Sequence, residues 1–335
     1  MMRNLPFALF VTGTLVACGS KMGGGGGGTG GDDDSNPPDA SIGGPDPNAA
    51  FEVISKDAML QPGDQITYCY YFHTSNTSEI LVNKWISDMS PGSHHAILFL
   101  NPGATGQPAD GTLDPNGNCG GLNGTQASIW TYATQTEHQE ENLPPDDGAG
   151  KPLAQKIAAN TPAVLQLHYL NATDQPIAAH IDLKAYALPT GTAFTQTDAY
   201  VTYNQDISIP PHATGVKATG SCNLPAGAKF WTMSTHSHKQ SVATVVDDGS
   251  SAIFSSNDWQ HPGAMNWMAT PFYTFTATKL TWTCTYDNTG DNANNTVVAG
   301  QSASTDEMCM ATGYFFPSTG PKFNVELNGN CISLN

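Results

Sequence analysis

From Phe51 onward the chain is written in short stretches of period two, separated by clusters of Gly, Pro, Asn and Asp. Such alternation sends successive side chains to opposite faces and predicts antiparallel strands with one face on a core. In Lys279 to Tyr286, Leu280, Trp282, Cys284 and Tyr286 share one face while Thr281, Thr283 and Thr285 share the other. In His180 to Ala187, Ile181, Leu183, Ala185 and Ala187 alternate with His180, Asp182, Lys184 and Tyr186. Leu188-Pro189-Thr190-Gly191 ends that run, and a domain boundary is expected there. The pattern predicts an all-β protein of two tandem antiparallel β-sandwiches, jelly-roll-like, over residues 51–188 and 189–335, about 140 residues each. No internal repeat is visible.

Composition reinforces this. The 335 residues include 34 Gly and 23 Pro, which break helices wherever they fall. Charged residues are only 12%, and the net charge of -17 repels nucleic-acid phosphates and anionic headgroups, so nucleic acid is excluded as a partner. A small molecule is the expected partner, and a monomer the expected state.

The first 17 residues carry one cation, Arg3, and an apolar run from Leu5 to Ala17 that is too short to span a bilayer, so they read as a signal peptide. Leu15-Val16-Ala17-Cys18 resembles a bacterial lipobox, in which Cys18 is acylated; Gly19 follows, without an Asp retention signal. An exported lipoprotein is expected, held to the membrane, and to an outer membrane in particular, only through its lipid anchor. Residues 18–50, with six consecutive glycines (Gly23 to Gly28), read as a tether.

Six cysteines remain in the exported chain: Cys69, Cys119, Cys222, Cys284, Cys309 and Cys331. An even number in an oxidising compartment predicts disulfides. Two fall in the first sandwich and four in the second, so Cys69 pairs with Cys119 if no bridge crosses, and three connectivities stay open. No CxxC spacing suggests a zinc or redox motif.

Five of the ten histidines sit in three tight contexts: Ser93-His94-His95-Ala96, Leu165-Gln166-Leu167-His168-Tyr169 and Thr235-His236-Ser237-His238. Residues i and i+2 of a strand share a face about 6 to 7 Å apart, so His236 and His238 can chelate one ion. Adjacent His94 and His95 face opposite ways in a regular strand, and joint ligation needs a bulge, which Pro91-Gly92 upstream makes plausible. Imidazole does not select among zinc, copper, iron and nickel, whereas a thioether favours Cu(I). Met308 and Met310 follow Asp306-Glu307 and share one face of an expected strand from Glu307 to Phe316, with Cys309 on the other. His73, His138, His180, His212 and His261 have no partner at chelating spacing and read as surface or hydrogen-bonded residues. Glu137, Glu140 and Glu141 read as part of a solvated loop ahead of Pro144-Pro145-Asp146-Asp147.

In that order, these segments resemble the copper type II, ascorbate-dependent monooxygenases, the family of peptidylglycine alpha-hydroxylating monooxygenase and dopamine beta-monooxygenase. Thr67-Tyr68-Cys69 is similar to the family's early disulfide strand and His94-His95-Ala96-Ile97-Leu98-Phe99 to its His-His strand. Leu165-Gln166-Leu167-His168-Tyr169 is similar to its single-His strand, His236-Ser237-His238 to its HxH motif, and Asp306-Glu307-Met308-Cys309 to its methionine ligand beside a cysteine. The resemblance implies two copper ions in separate clusters. His94, His95 and His168 would hold the one that delivers an electron. His236, His238 and Met308 would hold the catalytic one, where dioxygen and ascorbate-derived electrons hydroxylate a C–H bond. It also implies the pairs Cys222–Cys331 and Cys284–Cys309. The arginine, asparagine and tyrosine with which the peptidylglycine enzyme binds a peptide carboxylate are replaced here by Ser234, Met310 and Thr312. Without the guanidinium fork, a glycine-extended peptide is not the expected substrate. The alternatives are a copper-binding surface lipoprotein without catalysis, and zinc hydrolysis at a three-His site, against which the methionine argues. A Ser-His-Asp hydrolase lacks its GxSxG elbow.

Overall fold

The computed structural model describes residues 46–334 except 116, 118, 120–127 and 172. The signal peptide, Cys18 and nearly all of the tether therefore lie outside the described residues. Regular structure among the described residues is all strand, without a helix.

The first sandwich pairs a five-stranded sheet with a six-stranded one. At the centre of the five-stranded sheet, Pro162–Leu170 lies between Gln65–His73 and Ser93–Leu100, antiparallel to both. In the six-stranded sheet, Phe51–Ile54, Ile181–Ala187, Ile80–Met89 and Leu153–Ile157 lie in that order. Leu98, Leu165, Trp85 and Leu183 from the two sheets meet in a fully buried core. Trp85 stacks on Tyr132 with ring centroids 5.3 Å apart. Such a pair is worth about 0.5–1.5 kcal/mol beyond its burial.

The second sandwich also has a six-stranded sheet, in the order Ala264–Asn266, Lys229–Ser237, Cys309–Phe316, Asp198–Asn204, Lys322–Leu327, Asn330–Ser333. Its four-stranded partner runs Val216–Asn223, Lys279–Tyr286, Ser241–Asp247, Ala252–Ser256. The predicted alternation in Lys279–Tyr286 is present: Leu280, Trp282, Cys284 and Tyr286 are buried and Thr281, Thr283 and Thr285 are not.

One sheet of the second sandwich is covered on both faces. Asp198–Asn204 is buried at every position, without the alternation of a one-sided strand. Tyr200 packs into the second core, whereas Ala199, Val201 and Tyr203 join the first. Cys309–Phe316 divides likewise: Cys309, Ala311 and Phe315 point into their own sandwich, and Met310, Tyr314 and Phe316 towards the other. Met308, on the side of Met310, also joins the first core. This two-sided sheet joins the sandwiches and brings their histidine strands to one seam.

Three disulfides form, Cys69–Cys119, Cys222–Cys331 and Cys284–Cys309, the pairs named above. Cys222–Cys331 spans 109 residues and fastens the last strand to the opposite sheet. Closing a loop of about 100 residues removes roughly 4–5 kcal/mol of chain entropy from the unfolded state, in the entropic account.

Three details differ from expectation. The strand expected from Glu307 starts at Cys309, and Glu307 makes only an isolated bridge with Ala299. Thr195–Gln196, beyond the proline that ends the Ile181–Ala187 run, pairs in parallel with Leu153–Ala154 of the first sandwich. Finally, the expected loop around Glu140 and Glu141 is the strand His138–Asn142, paired with Lys84–Asp88. All five of its residues are polar, so the backbone ladder holds it with no apolar alternation to announce it.

Candidate metal centre

The site grows from two irregularities, a bulge and a strand end. Along the pairing of Pro162–Leu170 with Ser93–Leu100, His168 faces His95 and Tyr169 faces Ser93, so His94 is the extra residue of a β-bulge. The bulge follows Gly92, whose φ of 86° is open to glycine at little cost. It lets adjacent histidines turn to one place, their ring centroids 5.0 Å apart. In the second sandwich His236 is the penultimate residue of Lys229–Ser237 and His238 follows its end, with their rings 5.3 Å apart.

All five histidines meet at the seam, each no more than 8% exposed. His94 is central: its ring lies 5.0, 5.2, 5.1 and 5.8 Å from those of His95, His168, His236 and His238. His95 and His236, from different sandwiches, are 4.9 Å apart, and His168 and His238 are 6.1 Å apart. The expected separation into two clusters is therefore not what the structure contains. Packing of the two-sided sheet brings the walls together, and the donor triads that converge within 4.8 Å are His94–His95–His236 and His94–His168–His238, each drawn from both sandwiches.

Neighbouring groups fix which ring nitrogens face inward. The Gln135 amide donates to the Thr235 carbonyl (3.3 Å), which orients its oxygen to accept from His236 Nδ1 (2.7 Å). His238 Nδ1 donates to the Asp306 carbonyl (3.2 Å). Each bond puts the proton on Nδ1 and leaves the Nε2 lone pair free. His94 Nε2, His95 Nδ1, His236 Nε2 and His238 Nε2 are all buried without a hydrogen-bond partner among the described residues. Orphaned buried nitrogens are costly unless something binds them, and a borderline transition-metal ion fits this donor set. Gln65 spans the seam, its amide donating to His168 Nε2 (2.9 Å) and its oxygen accepting from Ser304 Oγ (2.5 Å).

Burial holds all five imidazoles below their ordinary range, that of His168 at about 4, and neighbouring histidines depress the other four further. Two carboxyls shift the other way. Glu307, fully buried, accepts from the backbone amides of His238 (3.0 Å) and Gln240 (2.7 Å), yet burial lifts it to about 8. Burial likewise lifts the half-buried Glu141 to about 8. The metal-free protein should therefore be most stable near pH 6.5. Below about 6.5 unfolded histidines gain protons that the folded cluster refuses, so stability falls with falling pH. Between about 4.5 and 8 the two folded carboxyls keep protons that the unfolded chain has lost, which favours folding as pH falls. Five imidazoles outweigh two carboxyls below 6.5, and only the carboxyls act above it. Denaturant midpoints at pH 5, 6.5 and 8 check this; a midpoint at pH 5 no lower than at 6.5 would contradict a buried neutral cluster.

A cavity of about 350 Å³ opens beside the centre, lined by His95, His236, Met308 and Met310 and walled by Trp130, Trp231 and Tyr314. Gln166 lines it as well, and so do Ser234 and Thr312. His73 and His138 pair with Asp110 and Asp88 at 2.6 Å, and His180 lies 3.0 Å from Asp57, as outlying histidines should. His261 departs from that expectation, because it lines the cavity. Trp259, 5.3 Å from His94 ring to ring, and the seam residues Gln65 and Gln135 belong to no motif and were invisible in the sequence. Glu140 and Glu141 also line the cavity; Glu140 is paired with Lys84 at 2.7 Å, whereas Glu141 accepts from the Gln139 amide at 3.2 Å.

These features define an all-β, disulfide-braced protein with a histidine-rich candidate metal centre at the seam of two sandwiches. Residues 197–331, which contain His236, His238 and Met308, match the copper type II ascorbate-dependent monooxygenase C-terminal domain, which supports the family resemblance carried by the histidine and methionine motifs. No curated protein matches the chain. Among solved structures it is similar to N-glycanase F (12% identity, TM-score 0.32, over 81% of this chain and 97% of that one). It is also similar to the major capsid protein P2 of bacteriophage PM2 (9%, TM-score 0.29, over 81% and 100%). Likeness at that level carries nothing about chemistry.

Proposed function

We propose that the protein is a copper-dependent monooxygenase that hydroxylates a C–H bond of a small organic substrate, using dioxygen and a reductant such as ascorbate. The observation that carries this reading is the set of four unpartnered, buried imidazole nitrogens beside a cavity that also contains Met308. His94, His95, His168, His236, His238 and Met308 would hold copper. When bound, copper would supply one-electron redox chemistry and the activation of dioxygen.

The chain's own residues do the rest. Depressed basicity keeps the imidazoles neutral and their lone pairs available at neutral pH. Gln135 and the Asp306 carbonyl hold the rings of His236 and His238 in one tautomer. Trp130, Trp231 and Tyr314 give the substrate an apolar wall that keeps bulk water from the reacting carbon. The Ser234 and Thr312 positions offer hydroxyls where a carboxylate would need a cation. As part of the same reading, the leader exports the chain and acylated Cys18 tethers it to a membrane surface.

Oxygen and ascorbate consumption by the copper-loaded protein, measured against product from a panel of small organic substrates, tests the assignment. Stable copper binding without coupled oxygen use would favour the non-catalytic copper-binding lipoprotein. Met308→Ala should lower hydroxylation at least about tenfold, equivalent to ~1.4 kcal/mol in the barrier, while copper content changes far less. Wild-type hydroxylation by that variant would remove Met308 from the centre.

A further inference from the structure

We propose that the cavity receives a small organic cation, an alkylammonium ion whose charge is met by Glu141 and whose carbon groups lie against Trp130, Trp231 and Tyr314. That this guest is the substrate rests on the function proposed above; that it is a cation rests on the chamber alone. Glu141 is carried by His138–Asn142, a strand whose half-buried positions are Gln139 and Glu141 and whose other three are exposed. Turning an amide and a carboxyl inward costs free energy that an apolar side chain would not, unless the carboxyl meets a partner there. The Gln139 amide anchors on the Ala133 carbonyl (3.2 Å) and donates to Glu141 Oε2 (3.2 Å), which holds the carboxyl in place at the wall of the chamber.

The charge balance of the chamber is one-sided. No lysine or arginine stands among the described residues that line it, and the neighbouring Glu140 is already answered by Lys84. Burial lifts Glu141 to about 8, as for a carboxyl that lacks a charged counterpart. Burial and then the Glu141 charge push the Tyr314 phenol well above its ordinary range, so the carboxyl is within electrostatic reach of the aromatic wall. That wall is fixed. Trp231 stacks on Tyr314 with ring centroids 5.3 Å apart, its indole donates to Thr197 Oγ1 (2.8 Å), and the Tyr314 hydroxyl donates to the Thr131 carbonyl (3.1 Å). Aromatic faces attract an ammonium within about 6 Å of the ring centroid, most strongly where water is excluded. Glu141 would repel a carboxylate guest at the same place. A volume of about 350 Å³ is near the lower end of the range for ligand cavities, about 300–1,000 Å³, so the cation is small. The net charge of -17 favours its approach from a distance.

Choline and its uncharged isostere, in which carbon replaces nitrogen, have one shape and differ by one charge. Both are titrated calorimetrically into the full-length protein without reductant, at about pH 8.5, where Glu141 is largely ionised. The wild type should bind choline at least about tenfold more tightly than the isostere. Glu141→Gln keeps the length and shape of the side chain and removes its charge. It should lower choline affinity by about tenfold or more and leave that of the isostere unchanged, a split that a merely structural role for Glu141 would not produce. Near-UV circular dichroism shows whether the variant keeps its packing.

The comparison of the two guests on the wild type needs no variant and decides the matter even if Glu141→Gln does not fold. Equal affinities for the two guests, no binding of either at millimolar concentration, or a preference for choline that survives in folded Glu141→Gln would overturn the proposal. None of these measurements involves dioxygen or turnover. Failure here would leave the oxygenase reading standing with an uncharged guest, and choline bound through Glu141 without any coupled oxygen use would remove that reading alone.

Discussion

Replacing His94 with alanine should strip the protein of copper more completely than replacing any other single histidine. The retained metal after dialysis should be less than about a tenth of the wild-type content. The reason is its position. Loss of His236 leaves His94–His168–His238 intact, and loss of His168 leaves His94–His95–His236, but His94 belongs to both. Its removal leaves four imidazoles in which no converging triad survives. Hydroxylation should fall with the metal. The protein should still fold, because the His94 ring is a polar group that belongs to neither apolar core and the cavity it leaves lies at the seam. Elemental analysis of His94→Ala, His168→Ala and His236→Ala after identical loading checks the order. Equal retention by all three would deny His94 its shared place.

The largest effect on stability is expected from a single methyl group. Gly220 lies directly across the strand pair from Trp282, and a β-carbon there would come within 2.6 Å of Trp282 Cη2 and 2.9 Å of Cε2. Trp282 cannot easily give way: it is 1% exposed, its indole donates to the Cys309 carbonyl (3.1 Å), and its strand is pinned by Cys284–Cys309. Removing a glycine ordinarily stabilises by about 0.4–1 kcal/mol through the unfolded chain. Overpacking of a rigid core typically costs about 1–3 kcal/mol, so the clash wins. Gly220→Ala should lower Tm by several degrees in a thermal melt, while Gly290→Ala should not, because nothing stands near that position and its backbone is outside the left-handed region. An undiminished Tm for Gly220→Ala would mean that the Trp282 ring is not held where described.

How much of this was legible in the sequence follows from what each feature depends on. Lys279–Tyr286 could be read because one of its faces is apolar and the other is threonine. The bulge at His94 could be anticipated because adjacent histidines cannot otherwise converge. Asp198–Asn204 could not be read by alternation, since its two faces serve two cores. His138–Asn142 escaped notice because its ladder needs only backbone, and Glu141 was consequently left in solvent when it lines the cavity. The merging of the histidine sets depends on how one sandwich docks on the other, and that is written in the buried face of a sheet rather than in any motif. Gln65 and Gln135 escaped for the same reason: each has meaning only through a partner at least 100 positions away in the chain.

Glu141 and Gln139 line the cavity from a strand that carries none of the five clustered imidazoles, whereas Met308 and His236 line it from the second sandwich. On the proposed function, substitutions on that strand should alter what guest the chamber accepts without moving a single candidate metal ligand. Selectivity and reactivity can thus be inherited, and modified, as independent traits.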